Sequence, residues 1–297
     1  MRSVTLPSFA KINLDLRVLG TRPDGYHDLK TVFQSLALFD GVTVTARRGP
    51  LTVTCDEPDI PTDQRNLVWK AASLLHRVAT GKSSAPRDIA IDLRKRIPSE
   101  AGLGGGSSNA AMTLLALNKL WKLELDAPSL SRIGARLGAD VPYFLVGGTA
   151  LGLGRGDDIY PLADMPPVHV VILRPGFGVS TADAYTWFDE ESRRSAKEPA
   201  PRALPPGWPA WSARLRNDLE MPVVRHHPAI GRIRQSLLDA GAAFAAMSGS
   251  GSAVFGLFER GDAARRTAND LARPGWLSLH TRTLSRREYD RRVARSL

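Results

Sequence analysis

AGLGGGSSNAAMTLLALNKLW, residues 101–121, runs four glycines, two serines and an asparagine into an apolar segment with Leu114, Leu117, Leu120 and Trp121 on one side of a helix. Glycines let a backbone approach a polyanion closely, and the N-terminus of a following helix offers unpaired N–H groups and a favourable dipole. Ser and Asn at its start are residue types suited to capping. The stretch lacks the G-K-[ST] of a P-loop and the G-x-G-x-x-G of a dinucleotide fingerprint. Two readings therefore stay open: a phosphate cradle, or a tight loop leading into a packed helix.

Upstream, the alternating runs FAKINLDLRVL, TVFQSLALF, VTVTARR, LTVTC and DIAIDLRKRI predict strands. Between them, Leu67, Val68, Ala71, Leu74, Leu75 and Val78 recur at helical spacing, so the first half is a mixed α/β unit. Downstream, a helix over residues 129–138 would end on a left-handed Gly138, placing Asp140 just beyond it. Val141 precedes Pro142 and is expected to be extended. GGTALGLGRGDDIYPL reads as a hairpin. A short passage with prolines, residues 161–167, precedes the strand VHVVILRPG, and the domain boundary is placed there, giving units 1–163 and 164–297. The proline-rich residues 197–209 read as an irregular loop. Helices near 230–240 and 263–272, with strands near 253–258 and 277–284, suggest a split βαβ, ferredoxin-like second half.

The chain has 297 residues, 43% of them apolar and 24% charged, and no apolar run approaches the ~20 residues of a membrane span. Its first residues lack the blocks of a secretory signal, so a cytoplasmic location is expected. A single cysteine, Cys55, excludes an intrachain disulfide and a Cys-cluster metal site. The net charge of +10 favours anionic ligands: nucleotides, phosphorylated metabolites or nucleic acid. The arginine-rich end, residues 286–297, reads as a nucleic-acid arm or a solvated end, and the solvated end is favoured since no aromatic-interleaved basic surface accompanies it.

Strand periodicity places Lys11, Asn13 and Asp15 on one face of FAKINLDL, opposite Ile12, Leu14 and Leu16. That row is either a site or an ordinary wet strand face. Residues 23–29, PDGYHDL, form a turn carrying Tyr26 and His27. Ser248, Gly249, Ser250 and Gly251 make a second small-residue loop running into the strand AVFGLF.

Taken together, AKINL, PDGYHDLKTVFQSL, IPSEAGLGGGSSNAAMTLLALNKLW with LGADVPYF, and MSGSGSAVFGLF resemble the GHMP kinases, in order and over residues 7–258. The GYH turn, the triple glycine and GADVP resemble the branch of that family whose acceptor is a cytidine-diphosphate-linked methylerythritol. The resemblance implies a two-lobed α+β fold, with a mixed α/β ATP-binding domain and a ferredoxin-like C-terminal domain. It implies transfer of the γ-phosphate of ATP, with Mg2+, to a tertiary hydroxyl on the non-mevalonate route to isoprenoids. A kinase of homoserine or mevalonate type is the alternative. By matching positions, Asp140 would be the general base and Lys11 would hold it ionised while reaching toward the transferred group. Gly102, Leu103, Gly104, Gly105, Gly106, Ser107, Ser108 and Asn109 would cradle ATP, with Asn66 near the adenine. Asn13, Tyr26, His27 and Tyr185 would line the cytidine side, and the 248–251 loop would assist. No residue is assigned as a direct metal ligand. Small molecules, rather than nucleic acid or membrane, are the expected partners of a monomer or weak homodimer.

Overall fold

The computed structural model describes residues 2–192, 207–208 and 210–295, so most of the proline-rich 197–209 segment lies outside the described residues. Its first unit is built on β1 (Ser3–Thr21) and β2 (His27–Pro50), a long antiparallel pair. β2 joins what the sequence pattern separates into two strands. Gly41 sits within the ladder, opposite Pro7 on one side and Arg94 on the other, and makes no turn.

β3 (Thr52–Cys55), α1 (Leu67–Thr80) and β4 (Arg87–Arg94) follow, α1 being capped by the Asn66 side chain and by a left-handed Gly81. Next come α2 (Gly105–Trp121), α3 (Ala127–Ala135), a one-turn 3-10 helix (Pro142–Leu145), and the hairpin of β5 (Thr149–Gly154) and β6 (Asp158–Pro161). The sheet order is β3-β4-β2-β5-β6, with β1 also on β2.

The second unit contains β7 (His169–Arg174), α4 (Thr181–Ser192), α5 (Glu220–His226), α6 (Pro228–Asp239), β8 (Phe244–Met247), β9 (Val254–Phe258), α7 (Gly261–Asp270) and β10 (Leu277–Arg282). Its antiparallel order, β10-β7-β9-β8, is the ferredoxin-like arrangement. The chain is thus α+β, with two sheets.

Three apolar clusters explain the packing. One fills the space between the first sheet and α1 and α2, around Phe9, Val42, Leu75, Met112 and Leu114. A second joins the sheets, with Ile12, Leu14 and Leu36 against Val170, Ile172 and Phe255. The third lies beneath α4 to α7, with Ala184, Val223, Ile233, Leu237 and Ala264. Phe9 packs in the first cluster, Ala10, Ile12 and Leu14 in the second, and the Lys11 and Asn13 side chains are enclosed at the cleft between the units, so Ser8 to Leu16 are buried throughout. The wet strand face is therefore absent.

Four local expectations are corrected. The N-cap of α2 is Gly104, at φ 71°, with no capping side chain, so Ser107, Ser108 and Asn109 fall inside the helix. α3 ends at Ala135 with a right-handed Arg136 cap, and Gly138 is not left-handed. Val141 is helical, φ −61° and ψ −43°, because the 3-10 turn begins there despite Pro142. Finally, the arginine-rich end is not a free tail: it forms α8 (Arg286–Ala294), which returns to the first unit. There Tyr289 is buried with its hydroxyl donating to Phe144 O at 2.6 Å, and Arg292 lies over the rings of Phe9 and Phe39.

Candidate active site

The two glycine loops meet at the seam of the two units. Ser248 Oγ donates to Gly102 O at 2.9 Å, and the approach is so close that a Cβ on Gly102 would stand 2.0 Å from Ser248 O. β1 is pinned to the same junction, with Lys11 N donating to Leu103 O at 3.0 Å and Asn13 N to Ser248 Oγ at 3.3 Å.

The left-handed Gly104 lets α2 begin abruptly. A side chain there would strike Phe144 and crowd Lys11. Since the first intrahelical bond is Ser108 N to Gly104 O, the N–H groups of Gly105, Gly106 and Ser107 have no intrahelical acceptor and sit at the positive end of the helix dipole. That arrangement suits an anion.

Lys11 projects from β1 into a cleft of about 1370 Å³ and is almost fully buried. A buried ammonium needs partners. It donates to Asn13 Oδ1 at 2.5 Å, ion-pairs with Asp140 Oδ2 at 3.3 Å and lies 5.5 Å from the centre of the Phe33 ring. Asn13 is held in turn by Thr31, to whose hydroxyl its Nδ2 donates at 2.8 Å. Asp140 stays one-third exposed, facing the cleft. Its turn is fixed from below, where Tyr143 bonds Ser35 Oγ and Gly148 O and where the Phe144 ring abuts Gly104.

Asp15 does not complete the expected row. A register shift between Asn13 and Asp15 turns it away, toward Arg17 at 2.9 Å and the Arg216 N–H at 2.9 Å, and burial raises its carboxyl above the usual range.

At the other end of the cleft, His27 Nε2 is 2.8 Å from Asp189 Oδ1, and its ring stacks on Tyr185 at 4.7 Å. Burial, with the Asp140 carboxylate adding to it, pushes the Tyr185 hydroxyl far above the usual phenol range, so it stays protonated. Tyr26 projects to solvent at the cleft mouth, with the Arg155 guanidinium 5.6 Å from its ring centre. His27 and Tyr185 are thus in mutual contact, while Tyr26 stands apart.

A smaller recess of about 340 Å³ opens behind the first glycine loop, lined by Asn66, Lys95, Pro98 and residues 102–107 among others. Asn66 borders it, with both polar atoms engaged: Oδ1 caps α1 at Val68 N, and Nδ2 donates to Pro61 O. Ser108 and Asn109 face inward instead. Ser108 accepts from Ser8, and Asn109 joins the buried Asp40–Lys95 pair.

Several residues at the site escape sequence reasoning. Asn217 donates to Met247 O at 2.8 Å and Gly249 O at 2.7 Å, holding the second loop, and Glu220 accepts from Met247 N. Asp189 lies on α4, four residues after Tyr185. An N-D-L-E run after a proline-rich passage and an acid on a helix carry no local signal of these contacts.

Among the described residues no cluster of three or more His, Cys, Asp or Glu is placed to hold a metal, and no helix is long and apolar enough to cross a membrane.

Residues 66–148 match the family described as GHMP kinases N terminal domain, and residues 208–275 match GHMP kinases C terminal. The chain is 41% identical over 284 residues to a 4-diphosphocytidyl-2-C-methyl-D-erythritol kinase of Synechococcus sp. (strain JA-3-3Ab), covering 91% of this chain and 90% of that one. A crystal structure of 4-(cytidine 5'-diphospho)-2C-methyl-D-erythritol kinase aligns at a TM-score of 0.75 and 36% identity, covering 94% and 98% of the two chains. A homoserine kinase from Cytophaga hutchinsonii shares the fold at a TM-score of 0.62 but only 19% identity, over 96% and 95%.

Proposed function

Because the chain belongs to the GHMP kinases, and within them to the 4-diphosphocytidyl-2-C-methyl-D-erythritol kinases, we propose that the cleft transfers the γ-phosphoryl group of ATP to the 2-hydroxyl of that substrate. The observation that carries the assignment of roles is the 3.3 Å contact of Lys11 with Asp140, beside the uncapped start of α2.

Phosphoryl transfer requires positioning and charge neutralisation more than covalent help. The N–H groups of Gly105, Gly106 and Ser107 receive the ATP phosphates, and the recess bordered by Asn66 takes the adenine. Lys11 holds the Asp140 carboxylate in place through their 3.3 Å contact and presents positive charge where negative charge develops. A tertiary alcohol has a very high pKa, so Asp140 accepts its proton late, as the phosphoryl group arrives.

Mg2+ keeps most of its waters and is bound chiefly through phosphates, so one or two oxygen ligands suffice. Glu100 and Ser107, which line both recesses, provide such oxygens and are proposed to hold the ion. When bound, it neutralises charge on the β- and γ-phosphates.

Asn13, His27 and Tyr185 receive the cytidine diphosphate, with the base lying against the His27–Tyr185 pair and beneath Tyr26 at the mouth. Purified protein given ATP, Mg2+ and 4-diphosphocytidyl-2-C-methyl-D-erythritol should release ADP stoichiometrically with product. Asp140→Asn should lower kcat by about 10² to 10⁴ with little change in Tm, since the carboxylate is partly exposed. Absence of turnover, or an Asp140→Asn enzyme as fast as its parent, would sink the assignment.

A further inference from the structure

His27 has one ring nitrogen engaged and one available. Nε2 is 2.8 Å from Asp189 Oδ1, the ring face is covered by Tyr185, and Phe188 meets the ring at 6.4 Å and 87°. Only a tenth of the side chain is exposed, and it lines the cleft. An ionised carboxylate can only accept a hydrogen bond, so of the two neutral imidazole tautomers Asp189 matches the one with its proton on Nε2. In that tautomer Nδ1 is a lone-pair acceptor, and among the described residues no partner occupies it.

Asp189 and Tyr185 belong to α4 of the second unit, whereas His27 opens β2 of the first. One helix thus supplies both the aromatic face and the carboxylate that meet a ring carried by the other unit.

We infer that Asp189 is the positioning residue that sets base selectivity: by accepting from His27 Nε2–H, it leaves Nδ1 matched to an exocyclic amino group and opposed to a carbonyl. Resting on the cytidine reading above, this assigns discrimination of cytosine, which bears an amino group at position 4, from uracil, which bears an oxygen there. The rejected base would set two acceptors against each other in a partly desolvated cleft, where an unpaired polar group is costly. Asp189 touches no reacting atom and acts through His27.

The test uses the full-length enzyme and its Asp189→Asn variant, whose amide can donate as well as accept and so no longer enforces one tautomer. Inhibition of turnover by CDP and by UDP gives the selectivity, and ¹⁵N NMR of His27 reports which nitrogen carries the proton. The parent should favour CDP over UDP by about tenfold or more, and the variant should narrow that ratio to within about threefold by weakening CDP. The loss should fall on the KM for the cytidylyl substrate rather than on kcat, and the His27 signal should change from the Nε2–H form to a mixture. A variant that keeps the parent's ratio, or a parent His27 protonated on Nδ1 alone, overturns the role of Asp189 while leaving the cytidine reading intact. A parent that treats CDP and UDP alike overturns the cytidine reading itself.

Discussion

Gly102 shows how much one missing methyl decides at this site. Its φ of +72° is in the left-handed region, and its α-carbon lies against the carbonyl of Ser248 from the second loop. Gly25, at φ +82°, has the same backbone demand, but a Cβ added there would meet nothing within 4 Å. Gly25→Ala should therefore cost only the conformational strain, about 1 kcal/mol, whereas Gly102→Ala adds a collision with backbone and should cost about 2–4 kcal/mol and raise the KM for ATP. Urea unfolding of the two variants, with ATP kinetics, separates the terms; equal losses would show that the loop contact is not tight. In the sequence, Gly102 is visibly part of a loop able to approach an anion. That its neighbour is Ser248 is not visible there, because no local pattern encodes a contact between residues so far apart in the chain.

Among the elements, α8 departs most from its sequence reading. A run of arginines resembles a solvated end, yet Arg286 donates to the carbonyls of Leu162, Gly147 and Thr149, its backbone N–H binds Asp164, and Tyr289 sits against Gly147. The guanidinium's several donors satisfy carbonyls at both ends of the β5–β6 hairpin, so the charge run serves as a hydrogen-bonding wedge. Only two buried side chains, Tyr289 and Val293, mark its inner face, too few to stand out as a pattern. Tyr289→Phe keeps the ring and removes the bond to Phe144 O, so stability should fall by about 1–2 kcal/mol in denaturant titration. An unchanged midpoint would mean that water replaces the hydroxyl freely. The longer helices are legible, since α1 has an Asn cap, a glycine stop and a regular apolar stripe. The start of α2 reads as side-chain capped because Ser and Asn fit that role equally well in isolation, and only the backbone of Gly104 decides otherwise.

For the molecule as a whole, α8, which packs on the first unit, is tied to the last strand of the second. Arg282, at the end of β10, binds Glu288 of α8 at 2.5 and 2.8 Å, and that hydrogen-bonded pairing holds the Glu288 carboxyl below its ordinary value of 4.5. A carboxyl depressed in the folded state contributes stability that is present above about pH 4.5 and lost as pH falls through the folded value. Both side chains are partly exposed, so the contribution is on the order of 0.5–1 kcal/mol. The Tm gap between the parent and Glu288→Gln should be open at pH 7 and close on acidification below that value; a gap that persists at low pH would contradict the account. The sequence by itself determined the α+β class, the ferredoxin-like second half, the glycine-rich start of α2, and the motifs that mark the family, because periodicity, turn chemistry and capping act over a few neighbouring residues. Only the tertiary structure decided that β1 is buried on both faces, that Asp15 leaves the row while Lys11 reaches Asp140, that His27 answers to Asp189, and that the arginine-rich end is a packed helix. Each of these depends on which segments share a desolvated space, and a buried charge or open polar atom chooses its partner there by proximity and geometry rather than by position in the chain.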